Sequence, residues 1–256
     1  GYRYGNSEIL DVIQHDGLFC ALEKELMGEG TERYAASAFI DRDVQDQIAA
    51  DSHTRAGAAI SAGTLSEEIV PVLIPQRKGD PISFEIDEGV RSGTDAAGLA
   101  KLRPAFAESG NITAGNASQI SDGGSAIVVV SRTFADSHGV DPLANLISYG
   151  QVAGPDTSLL TQPSRAINQS LNTAGMSLSD IDLFEINEAF ASVVLRYMQD
   201  LDLDPEVTNV NGGAIAMGHP LGATGGCLVS TVLDELERRD AKRAMLSLCV
   251  GGGMGI

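Results

Sequence analysis

Three short clusters carry the side chains that chemistry would need. They are Asn187-Glu188-Ala189-Phe190, then Gly212-Gly213-Ala214-Ile215-Ala216-Met217-Gly218-His219-Pro220, then Cys249-Val250-Gly251-Gly252-Gly253-Met254-Gly255. An imidazole gains and loses a proton near neutral pH. A thiol acts as acid, base or nucleophile according to its surroundings. Asn187 is most simply an N-cap for the helix that follows it, and a capping amide can also hold a water. His219 lies between flexible glycines and a helix N-terminus, a setting that suits a neighbouring anion or thiolate; a purely structural histidine before proline is the alternative. Cys249 is either an inert, small apolar residue or a reactive thiol. Four glycines within positions 251–255 leave the backbone open, so that substrate can approach the thiol and amides can face a developing oxyanion. A dinucleotide-binding turn is not expected, because it needs a helix after its glycines, and the glycine run around Gly222 has no phosphate-binding lysine.

The surrounding pattern must place these clusters. Apolar Val44, Ile48, Ala56 and Ile60 recur at helical spacing from Asp41 to Gly63, with Asp41 able to cap the start and Gly63 the end. Residues Glu68 to Pro75 read as a β-branched strand, and Gln76 to Gly98 as an ordered surface loop. Beyond Gly115 a buried strand is expected near Ile127–Val130, a helix over Pro163–Thr173 and a strand over Asp182–Ile186. A helix striped by Phe190, Val193, Val194, Tyr197 and Met198 follows. Another is striped by Leu228, Val229, Val232, Leu233 and Leu236 and ends at Arg238 and Arg239. The last strand, Ala244–Val250, is apolar enough to be central. Strands alternating with helices predict the α/β class with a mainly parallel sheet, sites gathering where strands end. Asn187 and Cys249 each follow a strand.

Composition narrows the function classes. Thirty-five acids against seventeen bases give a formal charge of −18, which repels phosphate backbones and argues against nucleic acid as a partner. Cys20, Cys227 and Cys249 form no CxxC pair, and His15, His53, His138 and His219 show no ligand spacing. Neither disulfides nor a metal is expected. The longest apolar runs, Ala126–Val130 and Ala244–Val250, fall far short of the roughly 18 residues that cross a bilayer, and no leader pattern opens the chain. A soluble cytoplasmic protein without a membrane span is expected.

NEAF, GGAIAMGHPLGATG and CVGGGMG occur here in one order, and together they resemble the thiolase family. The resemblance extends through Lys101-Leu102-Arg103-Pro104-Ala105-Phe106, Ala114-Gly115-Asn116-Ala117-Ser118 and Glu68-Ile69-Val70-Pro71-Val72. It implies a layered α/β/α/β/α core made of two similar halves, with a loop domain inserted in the first half that covers coenzyme A. Residues 1–117 then correspond to most of the loop domain, 118–142 to the end of the first half and 143–256 to the second. The resemblance also implies that the bulk of the first half, with the family's acyl-accepting cysteine, lies outside this sequence, and that a short last strand after the glycine run is absent. On that basis the 256 residues alone should be inactive and should expose apolar faces such as that of the Phe190–Met198 helix.

The activity implied is thiolytic cleavage of a 3-oxoacyl-CoA, or the reverse Claisen condensation, within fatty acid metabolism and β-oxidation. His219 and a water on Asn187 would hold the enolate oxygen, Cys249 would carry the proton, and the Gly251 amide would serve a second oxyanion hole. Ser118 would lie near the pantetheine and Arg91 near the adenine, while Met27, Phe106 and Phe190 take substrate-lining positions. Leu26 stands where short-chain members carry histidine before Met-Gly, which favours longer acyl chains. No cofactor is implied beyond coenzyme A as substrate, and the complete protein is expected to be a homodimer or homotetramer. The rival reading is a non-catalytic CoA- or lipid-binding module.

Overall fold

The computed structural model describes residues 3–256. A short hairpin, β1 (Phe19–Cys20) and β2 (Glu25–Leu26), leads into helices α1 (Met27–Ser37) and α2 (Arg42–Ala62). Gly63 closes α2 as expected, in the left-handed region at φ 75°, its amide donating to Ile60 O at 3.0 Å. Asp41 stands at the N-cap position, but its side chain makes no capping bond. The buried face of α2 differs from the predicted stripe. Val44 is exposed, and the face turned inward carries Gln45, Asp46, Ala49, Ala50, Ser52, His53, Ala56 and Ala59. Of its polar members Asp46, Ser52 and His53 bond to Asn116, Glu188 and the Arg91 amide, while Ala49 and Ala50 pack against Leu99, Ala191 and Ile215, so polar contacts join apolar ones in holding this face.

The β-branched stretch forms β3 (Val72–Ile74), which pairs antiparallel with β4 (Ile82–Phe84) in an exposed hairpin, and the predicted surface loop thus contains a strand before α3 (Ala96–Leu99). The buried strand predicted at Ile127–Val130 is not found. Among the described residues this segment pairs with nothing, and Val128 and Val129 are 89% and 81% exposed. Extended backbone becomes a buried strand only when a neighbour takes up its hydrogen bonds and a layer covers its side chains. Helix α4 (Arg132–His138) follows, and Leu143, Leu146 and Tyr149 beyond it are also exposed.

The C-terminal part is better packed. It comprises β5 (Val152–Ala153), α5 (Gln162–Ala174), β6 (Leu183–Ile186), α6 (Ala191–Leu201), α7 (Ala214–Met217), α8 (Thr224–Arg238), β7 (Ala244–Ser247), β8 (Cys249–Val250) and β9 (Met254–Gly255). Strands β6 and β7 run parallel in register Leu183↔Ala244 to Ile186↔Ser247, with Thr208 bridging to Phe184 on the other side of β6. The remaining pairs among the described residues are antiparallel, including β5-β9-β8. The α/β class holds, while the mainly parallel sheet reduces here to one parallel pair. The single last strand expected over 244–250 breaks at Leu248, because β8 leaves β7 to form a hairpin with β9. Strand β9 lies within the 251–255 glycine run itself, as Met254–Gly255. The apolar face of α6 is not exposed, contrary to expectation: Val193 and Tyr197 are buried with Ile167, Leu171, Phe184 and Ile186, and Val194 is buried as well. Exposed apolar side chains gather instead at 127–129 and 143–149, at 9–13 and on the β3–β4 hairpin. No helix among the described residues is long and apolar enough to cross a membrane.

Candidate active site

The end of β6 delivers Asn187, whose backbone amide continues the parallel ladder by donating to Ser247 O at 3.0 Å. Asn187 is not the cap of α6; that position falls to Phe190. Its side chain is turned instead to His219, with Nδ2 3.2 Å from the imidazole Nε2. The other ring nitrogen, Nδ1, lies 2.7 Å from the Thr224 hydroxyl in the first turn of α8. A hydroxyl donates or accepts by rotation, so Thr224 supports either neutral tautomer of His219. With Asn187 Nδ2 turned to it, Nε2 accepts and the ring proton sits on Nδ1, donated to Thr224; the tautomer with Nε2–H facing the site requires the Asn187 amide to turn its Oδ1 toward the ring or Nε2–H to face substrate instead. Burial pushes the His219 pKa below its ordinary value, which favours the neutral ring. The Asn187 side chain is 1% exposed and its Oδ1 makes no hydrogen bond to a described protein group. Such a buried acceptor calls for a partner.

Beneath this pair, Glu188 ties the three segments that carry it. Its buried carboxylate accepts from Ser52 Oγ on α2 at 2.6 Å, from Asn209 Nδ2 at 3.1 Å and from the Ile215 amide of α7 at 3.1 Å. Burial raises its pKa, while Ser52, Asn209 and the Ile215 amide oppose that rise. Ser52 Oγ also accepts from the Gly213 amide at 3.1 Å. Gly213 has no room for a side chain, since a Cβ there would lie 2.4 Å from the Glu188 carboxyl carbon.

The hairpin of β8 and β9 presents Cys249 and Gly251. Gly252 and Gly253 turn it with φ of 82° and 75°, and a Cβ on Gly253 would meet Asp156 O at 2.0 Å. Cys249 packs against the same core cluster as Met27 and Phe190. Burial pushes its thiol up to about 12, so at neutral pH it is a protonated acid rather than a ready nucleophile. Met27 covers Gly251 so closely that a Cβ there would lie 2.2 Å from Met27 Cε.

The remaining predicted residues divide. Ser118 lies beside the Asn187–Phe190 segment, its amide donating to Ala189 O at 3.0 Å. Phe106 and Phe190 meet edge to face with centroids 6.1 Å apart, and the Phe106 ring lies over Gly28. Arg91 stands apart: its side chain is exposed, and its main chain is anchored, the amide donating to His53 Nδ1 at 3.2 Å and the carbonyl accepting from the Thr94 hydroxyl at 2.9 Å. Sequence reasoning missed Thr224, Ser52 and Gln119. A hydroxyl in the first turn of the helix after His219 was a legible signal for the first; nothing local marks the other two.

An imidazole held neutral between Asn187 and Thr224, a buried carboxylate bonded to α2 and α7, and a high-pKa thiol on the β8–β9 hairpin are the acid–base groups that this α/β chain presents. The family model described as "Thiolase, N-terminal domain" matches residues 1–133, and "Thiolase, C-terminal domain" matches 140–256. The chain is 46% identical over 255 residues to the probable acetyl-CoA acetyltransferase of Mycobacterium tuberculosis, covering 100% of this chain and 65% of that protein. It is 44% identical over 256 residues to the acetyl-CoA acetyltransferase of Chromobacterium violaceum, again with 65% of that protein covered. The crystal structure of the Bacillus anthracis acetyl-CoA acetyltransferase superposes with a TM-score of 0.93 at 39% identity, covering 100% of this chain and 64% of that one. Human mitochondrial 3-ketoacyl-CoA thiolase gives a TM-score of 0.89 at 34% identity, with the same coverage. This chain belongs to the thiolase family and has its fold over the part it spans, which is 65% of the length of those two curated relatives.

Proposed function

We propose that these residues supply the acid–base and oxyanion-binding part of an acyl-CoA C-acyltransferase, with the acyl-accepting thiol provided from outside the 256 residues. In thiolysis that thiolate attacks the ketone carbon of a 3-oxoacyl-CoA. The carbon–carbon bond breaks, its electron pair leaves as the enolate of acetyl-CoA, and the acyl group remains on the thiol. The enolate oxygen accepts from His219 Nε2–H and from a water held by Asn187, while Cys249 gives its proton to the enolate carbon. The Cys249 thiolate then takes the proton of incoming CoA, which attacks the acyl-enzyme with the Gly251 amide facing the carbonyl oxygen. In reverse, Cys249 removes the α-proton of acetyl-CoA.

The observation that carries this reading is the 3.2 Å contact between Asn187 and His219 with an unpartnered amide oxygen behind it. A module that only bound CoA or lipid would need neither that pair nor a buried thiol on a glycine hairpin. Ser118 on the pantetheine, Arg91 on the adenine, and Met27, Phe106 and Phe190 along the acyl path complete the proposed contacts, with coenzyme A as substrate and no bound cofactor. Leu26, standing where short-chain members carry histidine, is the ground for acyl chains longer than acetoacetyl; the cavity it lines with Cys20, Met27 and Gly252, about 10 Å³, is too small to hold acyl carbons. A cytoplasmic homodimer or homotetramer serving β-oxidation or other fatty acid metabolism is part of the same proposal.

The test is steady-state thiolysis by the protein carrying its acyl-accepting segment. His219→Ala should lower kcat by about 10² to 10³, the usual cost of an oxyanion donor, with CoA affinity retained. Turnover near that of the unaltered protein would remove His219 from the mechanism.

A further inference from the structure

Gln119 has no part in the chemistry above, yet two stretches of chain meet on its side chain through three carbonyls. Its Nε2 lies 3.0 Å from Gly89 O, 3.0 Å from Ile215 O and 2.9 Å from Ala216 O. The last carbonyls of a helix have no partner within it. In the short α7, the amides of Ala216 and Met217 donate to Gly213 O and that of Gly218 to Ala214 O, which leaves the Ile215 and Ala216 carbonyls to the Gln119 amide. The main chain of the same residue takes the other end of the turn: Gln119 O accepts from His219 N at 3.2 Å. Gln119 therefore grips the chain on both sides of Gly218, which turns at φ 104° to present His219.

The third partner brings in a distant segment. A Cβ on Gly89 would lie 2.8 Å from Ala216 O and 2.9 Å from the Gln119 amide atoms, so the two backbones touch with Gln119 wedged against both. Two residues on, the Arg91 amide is fixed to His53 Nδ1 at 3.2 Å. A side-chain amide is suited to this junction because it offers two donors in one plane to carbonyls that would otherwise be unpaired; a carboxylate there would face three carbonyl oxygens.

We propose that Gln119 is a positioning residue that couples the 89–91 stretch to the turn holding His219, so that contact with the nucleotide end of an acyl-CoA at Arg91 steadies the imidazole. The proposal rests on the reading of His219 and Arg91 given above, but its test does not need turnover. Hydrogen exchange of the 256-residue chain is compared with that of Gln119→Met, which keeps the length and removes both donors, and of Gly89→Ala, which presses on Ala216 O from the far side. Both variants should speed exchange by about tenfold, the loss of a hydrogen bond or so. The effect should fall together on the amides of Arg91 and of Met217, Gly218 and His219, with α5 unchanged. Acceleration of only one stretch in either variant overturns the coupling. Should Gln119→Met loosen α5 as well, Gly89→Ala decides alone: joint acceleration supports the proposal, and acceleration confined to Arg91, or none, overturns it. In the protein with its acyl-accepting segment, Gln119→Met and Arg91→Ala should each raise the KM for CoA and lower kcat together, and an Arg91→Ala variant that moves KM alone overturns the coupling. Coupled exchange without any thiolysis would sink the functional reading and leave the junction standing.

Discussion

Replacing Glu188 tests the brace beneath the site. The carboxylate accepts from Ser52 Oγ, Asn209 Nδ2 and the Ile215 amide and is 3% exposed. Glu188→Gln keeps the shape. Its oxygen can serve Ser52 and Ile215, but its NH2 then faces the Asn209 NH2, so one bond to a charged acceptor is lost, a cost of about 1.5–3 kcal/mol. Relief from burying a charge offsets part of this. Glu188→Ala strands all three donors and opens a cavity, costing about 3–5 kcal/mol. Burial raises the folded-state pKa of Glu188 above its ordinary 4.5. The stability linked to that proton is thus full below 4.5 and lost as pH rises through the raised value. Since Gln does not titrate, the deficit of Glu188→Gln should shrink as pH rises from about 4.5. Urea unfolding followed by far-UV circular dichroism across that range measures it. A Gln variant as stable as the parent at the acid end, or a deficit that widens with pH, would refute the reasoning.

Glu68, half-buried beside Thr231 and pushed up to about 7 mainly by its burial, should cost stability between pH 4.5 and 7, and Glu68→Gln should flatten the unfolding profile there. His219 has the opposite sign: its lowered pKa makes stability fall as pH drops below about 6.5, and His219→Gln should remove that loss in the same titration. Alkylation mapped by mass spectrometry at about pH 8 should reach exposed Cys227 first. Cys249, with its pKa near 12, should react about a thousandfold more slowly than a free cysteine; equal rates would show a thiolate at rest. Gly253→Ala, forced to φ 75° against Asp156, should lower stability by more than the roughly 1–2 kcal/mol of a left-handed residue alone. If Leu26 sets chain length as proposed, kcat/KM should rise beyond four-carbon substrates, and a maximum at acetoacetyl-CoA would refute it.

Local signals were read well where one element is enough to produce them. Gly63 closes α2, and the stripe Val193, Val194, Tyr197 became the buried face of α6. Periodicity misled where burial is polar: α2 turns Ser52 and Asp46 inward because Glu188 and Asn116 bond to them, partners more than sixty residues away in sequence. The stretch 127–130 has the composition of a core strand, but composition cannot say whether a neighbour is present to pair with it. At the site, residue type singled out Asn187, His219 and Cys249 but left each with a structural alternative, and only the resemblance of the three motifs together assigned them roles. Gln119 and Ser52 stayed hidden because their roles arise only from carbonyls and carboxylates that the fold brings to them. The break at Leu248, where one apolar run divides between two sheets, depends on the paired glycines at 252 and 253 folding β9 back onto β8.

The central claim is that Cys249 moves the proton at the α-carbon while His219 holds the enolate oxygen, and it can be read without carbon–carbon bond formation. Exchange of the acetyl hydrogens of acetyl-CoA into deuterated water, followed by NMR in the protein with its acyl-accepting segment, measures that step directly. Cys249→Ser and His219→Ala should each slow exchange by about 10² or more, while Cys227→Ser leaves it unchanged. Exchange in Cys249→Ser as fast as in the parent protein would contradict the account.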